Sequence, residues 1–442
     1  MTFSGPRSAT RWTALLTSVA ALAATLLVGT AAPSTAAPDP AARKAGGSAP
    51  GSFTGYAFDT CSAPAQEVMD AWWDESPYAA VGIYLGGSNR LCDQPQLTPG
   101  WVGAQRAQGW RLLSLWVGPQ AACSTYADKM SFDFPTAEAQ GQAQAAAAVT
   151  VAQSLGIGGG STLYYDLEDY DITSTPCRQS SLWFLSGWSK GLHAAGYTSG
   201  VYSNIAAGIA ALDYADRASY GTYTMPDEIW FAWNNNQADT VTDERVLSSR
   251  WDDHARIHQY LLDTPQSFGG YPLTVDANWA DVGEGSVAKP AKRLCRGVEV
   301  DLRRYPTLRA GKRGPVVSAA QCVLRKQRIT NAPITGRYDA RTVAAVKKAQ
   351  RKFGLKPTGR LTAPTWAALL AKGKHPDLKV GSTGEPVLRL QRALTAALGR
   401  KVVIDGVYSV DTARRVTKLQ RKRGLSVTGV TTAEVWDELS GQ

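Results

Sequence analysis

The chain has 442 residues, of which 44% are hydrophobic, and its 42 Gly and 23 Pro follow no regular spacing. This length and composition suit about two to four globular domains and exclude a collagen-like or wholly disordered protein. The formal net charge of +10 is unevenly placed, because residues 291–442 hold 32 Lys and Arg against 10 Asp and Glu. The preceding residues therefore carry a net charge of −12, which predicts two parts with different electrostatic roles.

The N-terminus has the pattern of a cleaved export signal. Arg7 and Arg11 precede an apolar stretch over Ala14–Leu27, and small residues over Ala31–Ala37 offer a cleavage site, for instance after Ala36. An uncleaved membrane anchor is the alternative, which is disfavoured because a spanning helix needs ~20 apolar residues. We assign residues 1–37 to a signal peptide and residues 38–52 to a flexible linker, and we predict a secreted protein without membrane contact after cleavage.

Six widely spaced cysteines agree with export. They follow no zinc-binding pattern and are even in number, so a disulfide framework is the simpler interpretation, with a reduced cytosolic protein as the alternative. If the two parts of the chain fold separately, Cys295 must pair with Cys322. Proximity in sequence favours the remaining pairs Cys61 with Cys92 and Cys123 with Cys177.

Short apolar runs alternate with amphipathic stretches over the next part of the chain. The predicted strands are 56–59, 80–85, 111–117, 162–166, 199–202, 228–232, 256–260 and 273–276, and helical patterns cover 65–74, 99–108, 136–154, 180–195 and 204–212. This order predicts an α/β fold, a modified (β/α)8 TIM-like barrel over residues 53–283 with its chemistry at the C-terminal strand ends. Short connections between the last strands predict departures from strict β/α alternation there.

Four acidic residues stand at the ends of predicted strands. Asp59 ends the first strand, Asp166 and Glu168 end the fourth, and Asp276 ends the eighth. Since side chains alternate along a strand, Asp166 and Glu168 point to the same side and can share a site. Grouped carboxylates separate their pKa values, so that one can act as an acid while another stays ionised, as glycosidic cleavage requires. The alternative is an ordinary set of solvated strand ends.

Aromatic residues near the same strand ends are candidates for stacking on a sugar, although burial in the core is the commoner fate of such residues. The candidates are Tyr84, Trp116, Tyr202, Trp233 and Trp279. Three histidines of this part of the chain, His193, His254 and His258, lie on a helix, in a loop and in an apolar strand, and they do not form a rival site. No nucleophile elbow, phosphate loop or dinucleotide motif stands between a strand and a helix.

Several motifs taken in order carry a family resemblance over about residues 52–282. They are Phe58-Asp59-Thr60-Cys61, Gly82 to Gly87, Tyr164 to Glu168, Gly200 to Ser203, Ile229 to Trp233, His258-Gln259-Tyr260 and Val275 to Asn278. This order resembles a secreted glycoside hydrolase-like domain of unknown function, which is similar to the family 25 lysozymes, muramidases with a modified (β/α) barrel. The resemblance adds Gln259 to the substrate-binding candidates.

The resemblance also implies roles for the acids. Glu168 falls on the lysozyme family's general acid, and Asp166 on its partner, a nucleophile or an orienter of the substrate N-acetyl group. Asp59 and Asp276 match the acids that complete the cleft. This chain departs from the pattern in the cysteine after Asp59, in an insertion from Cys123 to Pro135, and in the extra acids Asp169 and Asp171. These departures concern the shape of the cleft and hence its substrate.

The C-terminal part is a tandem repeat. A shift of 70 positions aligns Gly311 with Gly381, Tyr338 with Tyr408 and Trp366 with Trp436 without a gap, together with many other matches. Apolar spacing predicts three helices in each copy, with the tyrosines and tryptophans more often core residues than sugar contacts. We assign residues 284–300 to a linker and residues 301–373 and 374–442 to two small all-α three-helix bundles. A capping box of Thr431 and Glu434 is predicted to open the last helix.

Each copy contains a motif of the form Leu-x-x-Gly-x-x-Gly-x-x-Val-x-x-x-Gln followed by Gly-x-Tyr, beginning at Leu308 and Leu378. This motif resembles the peptidoglycan-binding module of bacterial wall hydrolases, which implies non-catalytic anchors that gain avidity in tandem. Their positive charge suits anionic wall polymers, and export argues against nucleic acid.

The sequence thus predicts a secreted or wall-associated monomer that hydrolyses peptidoglycan glycan in the manner of a muramidase. The hypothesis gives Glu168 the role of general acid and Asp166 the role of stabilising or attacking the anomeric centre. A non-catalytic glycan-binding protein with a degenerate barrel is the alternative, and a structural adaptor is a third possibility. The sequence indicates no metal and no organic cofactor.

Overall fold

The computed structural model describes residues 53–219, 221–286, 294–295 and 297–441. The predicted signal peptide, the linker over 38–52, and residues 287–293 and 296 of the linker over 284–300 lie outside these residues. Within the described part, no helix combines the length and the apolar character that crossing a bilayer would require.

Eight strands close into a barrel in chain order, as the sequence predicts. The strands are β1 (Phe53–Asp59), β2 (Ala80–Gly86), β3 (Arg111–Trp116), β4 (Thr162–Asp166), β5 (Thr198–Asn204), β6 (Glu228–Ala232), β7 (Ala255–Phe268) and β8 (Tyr271–Val282). Strands β1 to β7 run parallel, whereas β8 is antiparallel to both β7 and β1. The predicted departure from strict β/α alternation is confirmed at the last strand, because β7 and β8 form a long hairpin without an intervening helix.

Helices connect the first six strands. They are α1 (Gln66–Glu75), α2 (Pro99–Gln108), α3 (Phe134–Ser154), α4 (Thr175–Ala194) and α5 (Ala210–Ala218), the last preceded by a π-helical turn over Ile205–Ile209. Two of them begin at capping side chains: Thr98 accepts a hydrogen bond from the Trp101 amide, and Asp133 accepts one from the Thr136 amide. Helices α3 and α4 pack closely because Gly141 and Gly187 face backbone atoms of the partner helix.

Three disulfides join Cys61 to Cys92, Cys123 to Cys177 and Cys295 to Cys322. This is the pairing that sequence proximity favours. The first holds the loop after β1 to the loop after β2, and the second fastens the insertion after β3 to α4. Both therefore stabilise loops at the end of the barrel where the predicted chemistry lies.

The C-terminal part folds into two three-helix modules. Module 1 contains α6 (Pro315–Lys326), α7 (Ala340–Lys352) and α8 (Ala363–Ala371), and module 2 contains α9 (Glu385–Leu398), α10 (Val410–Arg423) and α11 (Ala433–Ser440). Trp366 and Trp436 are fully buried and donate to the carbonyl oxygens of Pro306 and Pro376, so their interpretation as core residues is confirmed.

The predicted capping box of the last helix is wrong. Helix α11 begins one residue later than predicted, after Thr432, and it has no side-chain cap. Thr431 instead pairs with Leu378 through the backbone and hydrogen-bonds to the Tyr408 hydroxyl. Because Thr431 closes the module core, it is not free to cap the helix.

Candidate active site

A cavity of about 740 Å³ opens at the C-terminal ends of the parallel strands. This volume lies in the range of pockets that hold small ligands. The four acids predicted from the sequence all line it, together with residues from three loops and from β8. The lining consists of Asp59, Thr60, Cys61, Tyr84, Asn89, Arg90, Leu91, Cys92, Val117, Tyr126, Asp166, Glu168, Asp263, Thr274, Val275 and Asp276.

The strand register brings the acids together. Asp59 ends β1, Asp166 ends β4, and Glu168 follows two residues later. Asp276 was predicted to end the eighth strand, and this position is wrong, because the residue lies in the middle of β8. Since β8 runs antiparallel to β1, Asp276 stands directly beside Asp59 in the register. The fourth acid therefore comes from within a strand of the β7–β8 hairpin and not from a loop after a strand.

Asp59 is the most firmly held of the four acids. It accepts hydrogen bonds from the Tyr84 hydroxyl at 2.9 Å and from Asn278 Nδ2 at 2.7 Å. Gln259 Nε2 lies 3.3 Å from both Asp59 Oδ2 and Asp276 Oδ2, while its Oε1 accepts from the Tyr202 hydroxyl. These amides and hydroxyls fix the floor of the cavity.

Asp166 and Glu168 are held through their backbone and not through their carboxylates. Gln120 accepts a hydrogen bond from the Glu168 amide and donates one to the Asp166 carbonyl, both at 2.9 Å. The Oδ1 atom of Asp166 is buried without a hydrogen-bond partner. Among the ion pairs of the described residues, none involves Glu168, which faces the cavity half-buried.

Burial, and to a lesser extent neighbouring acids, raise the pKa of all four carboxyls. Burial raises the pKa of Asp59 to about 7, with a further contribution from Asp276. Burial, Glu168 and Asp59 together hold the pKa of Asp166 well above its usual range. The pKa of Glu168 is raised by burial and by Asp169 and Asp276; that of Asp276 is raised chiefly by burial. The cluster therefore retains protons at a pH where isolated carboxyls have lost theirs.

Two of the predicted aromatic contacts lie away from the cavity. Trp116 faces the helical layer, where it donates to Gln144 of α3 at 2.7 Å. Trp279 packs edge-on against Tyr56, and both rings also contact the core of the modules. Their placement in the cleft is wrong, since each side chain points to the outside of its strand.

The other aromatic candidates are nearer to the acids. Tyr84 lines the cavity and Tyr202 lies beneath it, bonded to Gln259. Trp233 stacks on the ring of His258 and does not line the cavity. The carboxylates are thus surrounded mainly by tyrosines and amides.

Several residues of the site were not predicted from the sequence. Gln120 and Asn278 orient the acids, and Tyr126, Arg90 and Leu91 form part of the rim. Tyr126 belongs to the insertion after β3, whose Cys123 was the available signal that this loop is held against the barrel. Leu91 is 91% exposed beside the disulfide of Cys92, so the rim presents an apolar side chain to solvent.

Comparisons with known proteins agree with this architecture. A family model for the Rv2525c-like, glycoside hydrolase-like domain matches residues 70–280. A model for the peptidoglycan binding domain matches twice, over residues 313–369 and 383–439. The two matches to the second model coincide with the two modules of the tandem repeat.

Individual relatives are more distant. An uncharacterized protein of Kitasatospora aureofaciens, encoded in the bpoA1 3' region, is 35% identical over 88 residues, which are 20% of this chain and 72% of the relative. An uncharacterized protein of B. stearothermophilus is 18% identical with a TM-score of 0.35, over 51% of this chain and 95% of that one. The autolysin LytC of Streptococcus pneumoniae is 14% identical with a TM-score of 0.34, over 51% and 46% of the two chains. The chain belongs to the proteins with an Rv2525c-like, glycoside hydrolase-like domain, and it carries two peptidoglycan-binding domains after that barrel.

Proposed function

We propose that the protein is a secreted hydrolase of peptidoglycan glycan chains, in which Glu168 is the general acid. The observation that carries this proposal is the convergence of four carboxyls on one open cavity, two of them without a fixed partner for their side chains. A structural cluster would satisfy its carboxylates with cations or amides. Asp166 and Glu168 are left facing the space that a substrate would occupy.

The proposed reaction is cleavage of the bond between N-acetylmuramic acid and N-acetylglucosamine. Glu168 donates a proton to the glycosidic oxygen, because burial and neighbouring acids favour its protonated form. Asp166 stabilises or attacks the anomeric centre as positive charge develops there. That developing positive charge favours the ionised form of Asp166, whose pKa is otherwise raised by burial, Glu168 and Asp59.

Asp59 and Asp276 complete the electrostatic environment. Asp59 is fixed by three hydrogen bonds and Asp276 by the Asp263 amide at 2.7 Å, so neither needs to move during the reaction. The two modules would keep the protein on its polymeric substrate, where a second binding event is favoured by effective concentration. The match of both modules to the peptidoglycan binding domain supports this role.

The test is release of reducing ends from purified peptidoglycan by the wild-type protein and by Glu168→Gln. Loss of a general acid should reduce the rate by at least about a hundredfold. Asp171→Asn is the matched control, because Asp171 is exposed and engaged with Thr173 a few residues further along the same loop. The control should keep most of the activity.

Equal release by wild type and Glu168→Gln would remove Glu168 from the mechanism. Retention of the protein on peptidoglycan without release of reducing ends by either protein would favour the non-catalytic glycan-binding alternative. Product analysis by mass spectrometry distinguishes cleavage after N-acetylmuramic acid from cleavage after N-acetylglucosamine, and the latter would contradict the proposed linkage.

A further inference from the structure

Module 2 is docked on the barrel through a buried lysine. Lys379 is 1% exposed, and its Nζ donates to the carbonyl oxygens of Trp73, of Ser76 at 3.2 Å and of Tyr78 at 2.9 Å. The same Nζ lies 4.4 Å from the centre of the Trp73 ring. The three carbonyls lie at or just beyond the C-terminal end of α1, where a cation is favoured by the helix dipole.

Neighbouring residues extend this contact. Ser286 Oγ donates to the Gly381 carbonyl at 3.0 Å and to the backbone of Thr54. A Cβ atom at Gly381 would come within 2.3 Å of the Phe53 ring, so only glycine permits this approach. The segment of residues 379–381 therefore packs against the N-terminal end of β1, whereas Asp59 lies at the C-terminal end of the same strand.

The corresponding segment of module 1 is free. Arg309, Ala310 and Gly311 occupy the same repeat positions, and all three are exposed. Both loops have the same backbone pairing, since the Gly311 amide bonds the Tyr338 carbonyl and the Gly381 amide bonds that of Tyr408. One copy of the repeat therefore uses this surface to contact the barrel, while the other exposes it to solvent.

The free surface of module 1 is strongly basic. Five exposed side chains, which we call the basic patch, surround the loop: Arg309, Lys312, Arg313, Arg337 and Arg341. Arg313 and Arg337 pair in a β-bridge, which brings the segment of residues 309–313 next to the segment of residues 337–341. None of the five takes part in the ion pairs found among the described residues. Asp339 is the nearby acid, and its carboxylate accepts from Thr342 at the start of α7.

Module 2 lacks this charge. Its equivalent residues are the buried Lys379, then Ser382, Thr383, Val407 and Asp411. Four of the five basic positions of module 1 are thus occupied in module 2 by two hydroxyl residues, one apolar residue and one acid. The fifth position is Lys379, which is buried in the contact with the barrel. The backbone is the same in both copies, so the difference lies in the side chains alone.

We propose that the two modules have different tasks: module 2 joins the barrel, and the basic patch of module 1 binds the wall. The inference rests on the proposed function and specifies which surface acts as the anchor. The partner is the set of free carboxylates on the stem peptides of peptidoglycan, because guanidinium groups pair with carboxylates through parallel hydrogen bonds. Binding through exposed charges must weaken as salt concentration rises.

The experiment measures sedimentation of the full chain with purified peptidoglycan, in a Glu168→Gln background that prevents digestion. The patch variant combines Lys312→Ser, Arg313→Thr and Arg337→Val, which copies residues already accepted by the same fold in module 2. The control combines Lys418→Gln, Arg421→Gln and Lys422→Gln on the exposed side of α10, with the same loss of three charges.

The patch variant should bind about tenfold more weakly at low salt, since three exposed ion pairs contribute a factor of a few each. The control should change by less than about threefold, and thermal unfolding should be alike for both. Equal weakening of the two variants would overturn the division of tasks, whereas failure of the parent protein to sediment would refute the proposed anchoring itself. Binding that disappears when phosphate-bearing polymers are stripped from the wall would overturn the choice of stem-peptide carboxylates.

Discussion

Glu168 and its neighbour Asp169 lie in different surroundings although they are adjacent in the chain. Glu168 lines the cavity half-buried, whereas Asp169 is exposed and is not part of the cavity lining. The charge of Asp169 is nevertheless one of the causes that raise the pKa of Glu168, after burial itself. An acid outside the site can therefore set the pH range in which the proposed general acid keeps its proton.

Replacing Asp169 by Asn should shift the pH profile of the reaction. Without this negative charge, ionisation of Glu168 is less disfavoured, so the pKa of Glu168 falls. The protonated form of Glu168 that catalysis requires is then lost at a lower pH. The high-pH limb of the rate profile should therefore move to lower pH by a few tenths of a pH unit, roughly the effect of one screened charge. The measurement is the initial rate of reducing-end release from pH 4 to 9.

Asp171→Asn is the matched control for this prediction. Asp171 is exposed and bonded to Thr173, and it is not among the causes of the Glu168 shift. A displacement of the high-pH limb by both variants would mean that general surface charge controls the profile. An unchanged profile in Asp169→Asn would mean that another group controls that limb.

Period-two alternation predicts which acids share a face, whereas proximity to a strand end does not predict the aromatic contacts. Asp166 faces the cavity because it shares the interior face of β4 with Tyr164, as the spacing indicates. Trp116 and Trp279 were placed by proximity to strand ends, without knowledge of which face each occupies. Trp279 lies three residues after Asp276 in β8, so alternation along the strand places the two side chains on opposite faces.

At the scale of elements, the β7–β8 hairpin was the feature least accessible from sequence. The predicted strands 256–260 and 273–276 cover less than half of the hairpin, whose outer part mixes polar residues with exposed or half-buried apolar ones such as Leu262, Phe268 and Tyr271. The available signal was Gly269-Gly270, since both residues have positive φ and a two-residue turn of this kind joins antiparallel strands. The helices of the modules were predicted better because their apolar spacing is repeated in both copies.

The Lys379 contact gives a second prediction, at the level of one helix end. Lys379→Ala should leave the carbonyls of Trp73, Ser76 and Tyr78 without a donor and lower the stability of the barrel and module 2 by about 3 kcal/mol. Hydrogen exchange of the last turn of α1 should also become faster. Chemical unfolding followed by tryptophan fluorescence and exchange followed by mass spectrometry provide the two readouts.

Arg309→Ala, at the equivalent position of the repeat, is the control. Arg309 is exposed in module 1, so its loss should change stability by less than about 0.5 kcal/mol and leave exchange in α1 unaltered. Similar losses in the two variants would show that the loop itself is fragile. No loss in Lys379→Ala would show that water satisfies the carbonyls and that the lysine does not hold the module.

At the scale of the whole molecule, the acidic cluster and the docked module lie at opposite ends of the barrel. The acids lie at the C-terminal end of β1, and module 2 contacts its N-terminal end, six residues away and therefore about 20 Å along the strand. Composition predicted the opposite charges of the two parts. It could not predict their docking, because a single lysine in a basic segment gives no sign that it will be buried.

The buried carboxyls should also make the stability of the protein depend on pH, and Glu228 offers the clearest case. Glu228 lies inside the barrel, where it accepts a hydrogen bond from the Tyr164 hydroxyl, and burial raises its pKa to about 7. The folded state therefore holds a proton that the unfolded state loses above pH ~4.5. The stability from this group is complete below that pH and is lost as pH rises to 7, by up to about 3 kcal/mol.

Glu228→Gln keeps the shape and the hydrogen bond to Tyr164 but cannot ionise, so the variant should gain stability over the wild type as pH rises from 4.5 to 7.5. The difference between their urea midpoints, measured across this range, should grow steadily and then level off above pH ~7, where the wild-type carboxyl has ionised. Glu67→Gln on the exposed side of α1 should follow the wild type throughout. Midpoint curves for Glu228→Gln and wild type that stay parallel would mean that Glu228 ionises alike in the folded and unfolded chain, in conflict with its burial beside Tyr164.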